Sequence, residues 1–175
     1  MDELKNQPCP VCGKNEAVLM EDEVDIPYFG NAFVFSINCS SCGFSKADVE
    51  ASDVREPVKI TFETSSSEDM KVRVVKSSSA LVKIPTFRMS MEPGTGSEGF
   101  ISNIEGLIGK FEKIVEGQRD STDDPKVRKS AKNLLKKIWK AKLGEIPLKI
   151  VIEDPSGNSA IISDRAEVGK LKVKK

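Results

Sequence analysis

Cys9-Pro10-Val11-Cys12-Gly13 and Cys39-Ser40-Ser41-Cys42-Gly43 are two copies of one pattern, and together they hold every cysteine of the chain. A two-residue gap lets both sulfurs of a tight turn reach one ion. Four thiolates around zinc make a closed tetrahedral site, which is structural rather than catalytic. The glycine after each second cysteine can take a positive φ and keep backbone N–H groups turned toward the sulfurs. The stretch between the knuckles, residues 14–38, exceeds the usual ribbon spacing of about 15–20 residues, so it predicts an extended hairpin. Val18-Leu19-Met20 and residues 32–37 read as its arms. So few apolar residues cannot hold such a piece together, and one structural Zn²⁺ on Cys9, Cys12, Cys39 and Cys42 is expected to do so. The charged opening Met1-Asp2-Glu3-Leu4-Lys5 has no apolar signal segment. Thiolate ligation and a cytoplasmic setting are therefore expected, rather than a secreted disulfide framework.

At 175 residues the chain is long enough for one good core plus a small metal-held module. The zero net charge conceals a division. Residues 1–98 carry 10 Lys+Arg against 16 Asp+Glu, and residues 99–175 carry 17 against 11. The first part is thus acidic and the second basic, which argues against the finger as a nucleic-acid reader. Histidine is absent, which removes the commonest general base and catalytic zinc ligand. Ser65-Ser66-Ser67 and Ser77-Ser78-Ser79 have no imidazole to activate them, so no enzyme and no small-molecule substrate are expected. No run of 18 apolar residues suggests a membrane span.

From about residue 57 the pattern becomes period-two alternation. Val58, Ile60 and Phe62 share one face, as do Met70, Val72 and Val74, and Phe87, Met89 and Met91. Leu81, Val82 and Ile84 add a short strand that ends at Pro85. Leu148, Ile150 and Ile152 alternate again before Asp154-Pro155-Ser156-Gly157-Asn158 turns the chain into Ala160-Ile161-Ile162. Short strands with turns at these intervals predict an antiparallel barrel or sandwich. Two helices interrupt them, at about 102–143. One opens with a capping box, Ser102-Asn103-Ile104-Glu105, and carries the stripe Ile104, Leu107, Ile108, Phe111, Ile114 and Val115. The other opens at Asp124-Pro125 and carries Val127, Ala131, Leu134, Leu135 and Ile138, with Gly144 just past its end. The expected organisation is a four-cysteine zinc ribbon over residues 1–50. A mainly β domain follows over 51–175, with an inserted antiparallel helical hairpin.

Three further features bear on binding. Gly94-Thr95-Gly96-Ser97-Glu98-Gly99 matches a dinucleotide fingerprint in letters, but an alternating strand and Pro93 precede it and a second helix follows. It reads as a flexible loop. Asp25-Ile26-Pro27-Tyr28-Phe29 places the sole tyrosine and a phenylalanine at the expected tip of the hairpin, where aromatic residues suit a protein contact. The second helix has Lys126, Arg128, Lys129, Lys132, Lys136, Lys137 and Lys140 on its polar side, and no acid from Pro125 to Leu143. Such a field can steer RNA or an acidic partner, or can simply be solvated. Trp139 abuts the apolar stripe and reads as core or edge.

These segments together resemble the ZPR-type zinc-finger family. The match runs through the first knuckle, Asp25-Ile26-Pro27-Tyr28-Phe29, the second knuckle with Phe44, residues 69–77, Ile84-Pro85, Ile104-Glu105-Gly106-Leu107, and Glu153-Asp154-Pro155-Ser156-Gly157-Asn158-Ser159. Thr86 and Ser102-Asn103 depart from the family's usual residues. The resemblance implies a four-cysteine finger joined to a β-barrel-like domain with a helical hairpin, and a single module of the archaeal type. It also implies a protein partner, an elongation factor one-alpha-type GTPase whose folding tandem-module members assist. The tip Asp25–Phe29 is then the leading contact surface, and RNA on the basic helix is the alternative.

Overall fold

A computed structural model describes residues 2–26, 30–52 and 55–172. The first four strands, β1 (Asp2–Gln7), β2 (Ala17–Ile26), β3 (Gly30–Cys39) and β4 (Ser45–Ala51), form an antiparallel meander in that order. β2 and β3 pair without a slip from Ala17↔Cys39 to Ile26↔Gly30. Opposed residues in an antiparallel ladder share a face, so this register sorts the finger into two. Val24, Ile26, Ala32, Val34, Val49 and Ala51 face inward and pack against Val75, Ala160 and Ile162 of the following domain. Leu4, Leu19, Phe33, Phe35 and Ile37 lie on the other face.

The rest of the chain supplies β5 (Val58–Glu63), β6 (Arg73–Lys76), β7 (Leu81–Ile84), β8 (Met89–Met91), β9 (Phe100–Asn103), α1 (Ile104–Ser121), α2 (Pro125–Lys142), β10 (Lys149–Asp154), β11 (Ala160–Ile161) and β12 (Glu167–Lys170). A five-stranded sheet runs β12-β5-β10-β7-β8 and a three-stranded one β11-β6-β9, each antiparallel. The sheets are open and sandwich-like, not closed into a barrel. Ile60, Phe62, Val82, Ile84, Ile150 and Ile152 from the larger sheet meet Val74 and Ile161 from the smaller. α1 closes this core with Ile104, Leu107, Ile108, Phe111 and Val115, and α2 adds Ala131, Ile138 and Ala141. No helix among the described residues is long and apolar enough to cross a membrane.

Local chemistry overrides the alternation in three places. Met70 belongs to a 3-10 turn, Ser67–Lys71, and not to a strand. The Asp69 carboxylate accepts from the Ser65 N–H at 2.6 Å and the Ser66 N–H at 3.1 Å, giving that backbone an alternative to a ladder. Phe87 likewise lies in the turn Pro85–Phe87, which Arg88 leaves at φ 54°, so the strand begins only at Met89. The α1 cap is Asn103, whose side-chain oxygen accepts from the Gly106 N–H at 2.8 Å. Ser102 is held in β9 opposite Val74, so the cap falls one residue later than expected, and with Gly106 three residues on there is no side chain to complete a capping box. Ile114 is exposed, outside the α1 stripe. At the two ends of the second helix the expectations hold. Asp124 accepts from the Lys126 N–H at 2.8 Å, and Gly144 follows the helix at φ 78°. The helices pack together as the expected hairpin.

The finger and the β domain meet along a polar seam as well as an apolar one. The Gly99 N–H donates to the Ala47 carbonyl at 3.0 Å, and the Ala51 N–H to the Asn158 side chain at 3.2 Å. A Cβ on Gly99 would lie 2.7 Å from the Val49 nitrogen. The last glycine of the fingerprint-like loop is therefore needed for docking the finger. Gly94 and Gly96 have open space around them.

Candidate metal centre

Each knuckle is the same turn. The Gly13 N–H donates to the Cys9 carbonyl at 2.9 Å and the Gly43 N–H to the Cys39 carbonyl at 3.0 Å. Both glycines sit at φ 72°, a conformation that a side chain would strain. The Cys9 N–H closes on the Lys14 carbonyl at 2.9 Å, and the Cys39 N–H on Phe44 at 2.8 Å. The Ala17↔Cys39 pairing then brings the second knuckle beside the first.

The Sγ atoms of Cys9 and Cys42 lie 3.7 Å apart, and those of Cys12 and Cys39 3.8 Å apart. All four are within 4.8 Å of one another. The edge of a tetrahedron with metal–sulfur bonds of about 2.3 Å is about 3.8 Å, so the donor set fits a tetrahedral soft cation. Cys9 and Cys39 are buried, Cys12 is half-buried, and Cys42 faces solvent. Ala17, Ile37 and Phe44 shield the inner side. Backbone N–H groups serve the sulfurs, as at Val11 to Cys9, 3.4 Å. A hydrogen bond from the Cys12 backbone, outweighing burial, brings the Cys9 thiol down to about 7. At Cys42 the Phe44 N–H favours the thiolate, but burial and the three neighbouring sulfurs push the thiol up to about 12. Four thiolates at this spacing repel one another unless a cation sits among them.

Other sequence-predicted residues are dispersed. Asp25 is exposed, whereas Ile26 is only 1% exposed and packs with Ala32, Val49 and Val75, so its side chain belongs to the finger's core and offers no surface anchor. Pro27, Tyr28 and Phe29 lie outside the described residues. Lys126, Arg128, Lys129, Lys132, Lys136, Lys137 and Lys140 are all exposed along α2. Trp139, expected at the core or its edge, is outside the core and stands 59% exposed on the same helix.

Two features escaped the sequence reading. One is a buried ionic knot at the seam. Asp154, fully buried, accepts from the hydroxyls of Ser77 at 2.9 Å, Ser79 at 3.0 Å, Ser156 at 2.7 Å and Ser159 at 2.6 Å, and from the Ser156 N–H at 2.9 Å. Burial works against ionisation, yet the Ser159 and Ser156 donors hold this carboxyl below the usual range. Lys76, 1% exposed, donates to the Ser77 carbonyl at 2.9 Å. Burial lowers its pKa, and the Asp154 and Asp48 charges oppose that. Asp48 reaches across from the finger to the Ser78 N–H at 3.0 Å and to the Ser78 hydroxyl. The available signal was the serine run after Lys76 paired with the Asp-Pro-Ser-Gly-Asn-Ser turn, which reads as a carboxylate with a cage of donors. The other feature is the outer face of the finger. Leu4↔Leu19↔Ile37 forms one cross-strand row and Phe33 and Phe35 continue it, with exposed Asp2, Glu21, Glu23 and Glu50 around them. Leu4 is 60% exposed, and a shallow depression of about 420 Å³ runs between Leu4, Leu19, Phe35 and Ile37.

A four-cysteine ribbon leading into a sandwich-like β domain with a helical hairpin defines a zinc-ribbon protein with an appended β module. Residues 3–56 match the ZPR1 zinc-finger domain and residues 68–175 the ZPR1 jelly-roll domain. An uncharacterized ZPR1-like protein of Methanocaldococcus jannaschii is 36% identical over 95% of this chain and 85% of its own length. One of Pyrococcus horikoshii is 33% identical over 98% and 78%. The zinc finger chaperone zpr1 of Schizosaccharomyces pombe is 32% identical over 87% of this chain, but that covers only 33% of the yeast protein. The chain belongs to the ZPR1 family.

Proposed function

We propose that this chain is a non-catalytic, cytoplasmic protein-binding module whose cysteines hold one Zn²⁺. Its partner is an elongation factor one-alpha-type GTPase, whose folding it assists. The likeness to a protein named a chaperone supports the class of activity. The observation that carries the reading is the uncovered outer face of the finger, Leu4, Leu19, Phe33, Phe35 and Ile37 within a rim that is acidic but for Lys46. An apolar centre with a charged rim suits a partner surface with basic edges. Asp25 belongs to this contact surface and Ile26 packs behind it, and Pro27, Tyr28 and Phe29 are contact residues of the reading on their sequence alone. RNA, the rival ligand, belongs on α2, because the finger is acidic.

The test is binding of the zinc-loaded protein to the purified GTPase of its own source, compared with Phe35→Ser and Tyr28→Ala. A buried interfacial anchor is worth about 2 kcal/mol or more when truncated, roughly thirtyfold in Kd. Loss on that scale from Phe35→Ser, with zinc content unchanged, is the expected result. Undiminished affinity in both variants would remove the finger from the interface.

A further inference from the structure

α2 has two dissimilar sides. Ala131, Ile138 and Ala141 are buried in the core, with Leu134 packed against it, so the apolar stripe is already occupied. On the opposite side Arg128, Lys132, Lys136 and Lys140 recur every four residues and are exposed. One such step is about 6 Å along the helix axis, close to the phosphate spacing of an extended nucleic-acid strand. Lys129 and Lys137 broaden the rail, and no acid lies within Pro125–Lys142. In the middle of these cations stands Trp139, 59% exposed, three residues beyond Lys136, with Leu143, 48% exposed, a turn further on.

We propose that this face of α2 is a binding site for single-stranded nucleic acid. Lys132, Lys136 and their neighbours pair with phosphates, and Trp139 stacks on a base. Sequence-tolerant single-strand sites combine these two elements, a cationic track and an aromatic platform. Duplex offers phosphates but keeps its base faces stacked. An acidic protein is the weaker fit, since seven of the eight cations in Pro125–Lys142 are lysines. Lysine is depleted from protein interfaces where arginine is enriched, but serves well as a point charge on phosphate. A lipid surface would need the apolar stripe, which is spent on the core. Lys140, 3.8 Å from Glu145, Lys142, paired with Glu112, and Arg128, which donates to the Thr122 carbonyl at 2.7 Å, are cations held back in part.

Trp139 is the chain's only tryptophan, so its own emission reports stacking. The zinc-loaded full chain is titrated with oligouridylate and with a hairpin duplex, and labelled oligouridylate is followed by anisotropy. The expected result is quenching of Trp139 by the single strand. The salt slope should correspond to three or four phosphates, about −2 to −3 in log–log form. Trp139→Ala should weaken binding roughly tenfold at an unchanged slope, with Trp139→Phe intermediate. Lys132→Gln with Lys136→Gln should flatten the slope by about one or more. These positions are exposed, and circular dichroism with zinc content confirms that the variants fold. Equal binding of duplex without quenching would overturn the proposal. So would tight, quenching association with polyglutamate while oligouridylate fails, since α2 would then be a seat for an acidic protein.

Discussion

The finger and the β domain are both antiparallel sheets, yet different forces hold them. The β domain has a continuous core from Ile60 on β5 to Phe111 on α1 and Ile138 on α2. The finger's own buried apolar residues are Ile26, Ala32, Val49 and Ala17, beside Cys9 and Cys39. Its meander and two knuckles thus have a four-cysteine cluster at one end and a neighbour against one face. The outer face is then released from any packing duty, which is why Leu4, Leu19 and Phe35 can remain uncovered. A domain that must bury its apolar residues to fold has no such surface to spare.

Removing the metal should separate the two regions most sharply. Structural Zn²⁺ in small fingers contributes about 10–16 kcal/mol of apparent binding free energy, most of which is folding free energy. Chelation, or Cys39→Ser, should therefore abolish hydrogen-exchange protection across β2 and β3 while leaving β5 and β10 protected. If β5 and β10 lose protection together with the finger, the comparison fails and the chain is one cooperative unit. The reciprocal change is Phe111→Ala, which should cost about 3–5 kcal/mol. It should lower the melting temperature of the β domain, while the zinc content of the folded protein stays at that of the wild type.

The finger was the legible region. A C-x-x-C-G knuckle restricts its turn so tightly that spacing alone locates the donors, and the sulfurs stand where that spacing requires. The helical hairpin was legible too, from Asp124-Pro125 and Gly144. Sequence periodicity failed where a side chain competed with the backbone ladder, as Asp69 does before β6. It also could not tell which face of the finger sheet is covered. That is decided by Val75, Ala160 and Ile162, which lie far along the chain. Nor could spacing join Asp48 to Ser78, which meet only when the two regions dock, or Ser77 and Ser79 to Asp154, which meet only when the β domain folds.

Two smaller effects lie beside and at that seam. Asp154→Asn puts an amide in place of a buried carboxylate that accepts from four serine hydroxyls, and a hydrogen bond to a charged group is worth about 1.5–3 kcal/mol. Because the folded pKa of Asp154 is depressed, its contribution is fully present above the unfolded value of about 3.9. That contribution is lost as pH falls through the lower folded value. The wild type should therefore lose its advantage over Asp154→Asn progressively below about pH 4, measured as the difference in denaturation midpoint. A difference that is constant with pH would mean the carboxylate charge contributes nothing.

Gly99→Ala acts more locally still. Its Cβ would press on the Val49 backbone of β4, a contact that can be relieved only by moving the finger away from β9. Overpacking of this kind costs about 1–3 kcal/mol. The expected outcome is a faster amide exchange at Ala47 to Ala51 and in β9, with the knuckles and the β5–β10 ladder untouched. Zinc affinity should be unchanged, since Cys9 to Gly13 and Cys39 to Gly43 close on themselves. If zinc affinity fell with seam protection, the β domain would be bracing the metal site as well as one face of the sheet. The finger would then depend on its neighbour for ligand geometry, and not merely for burial.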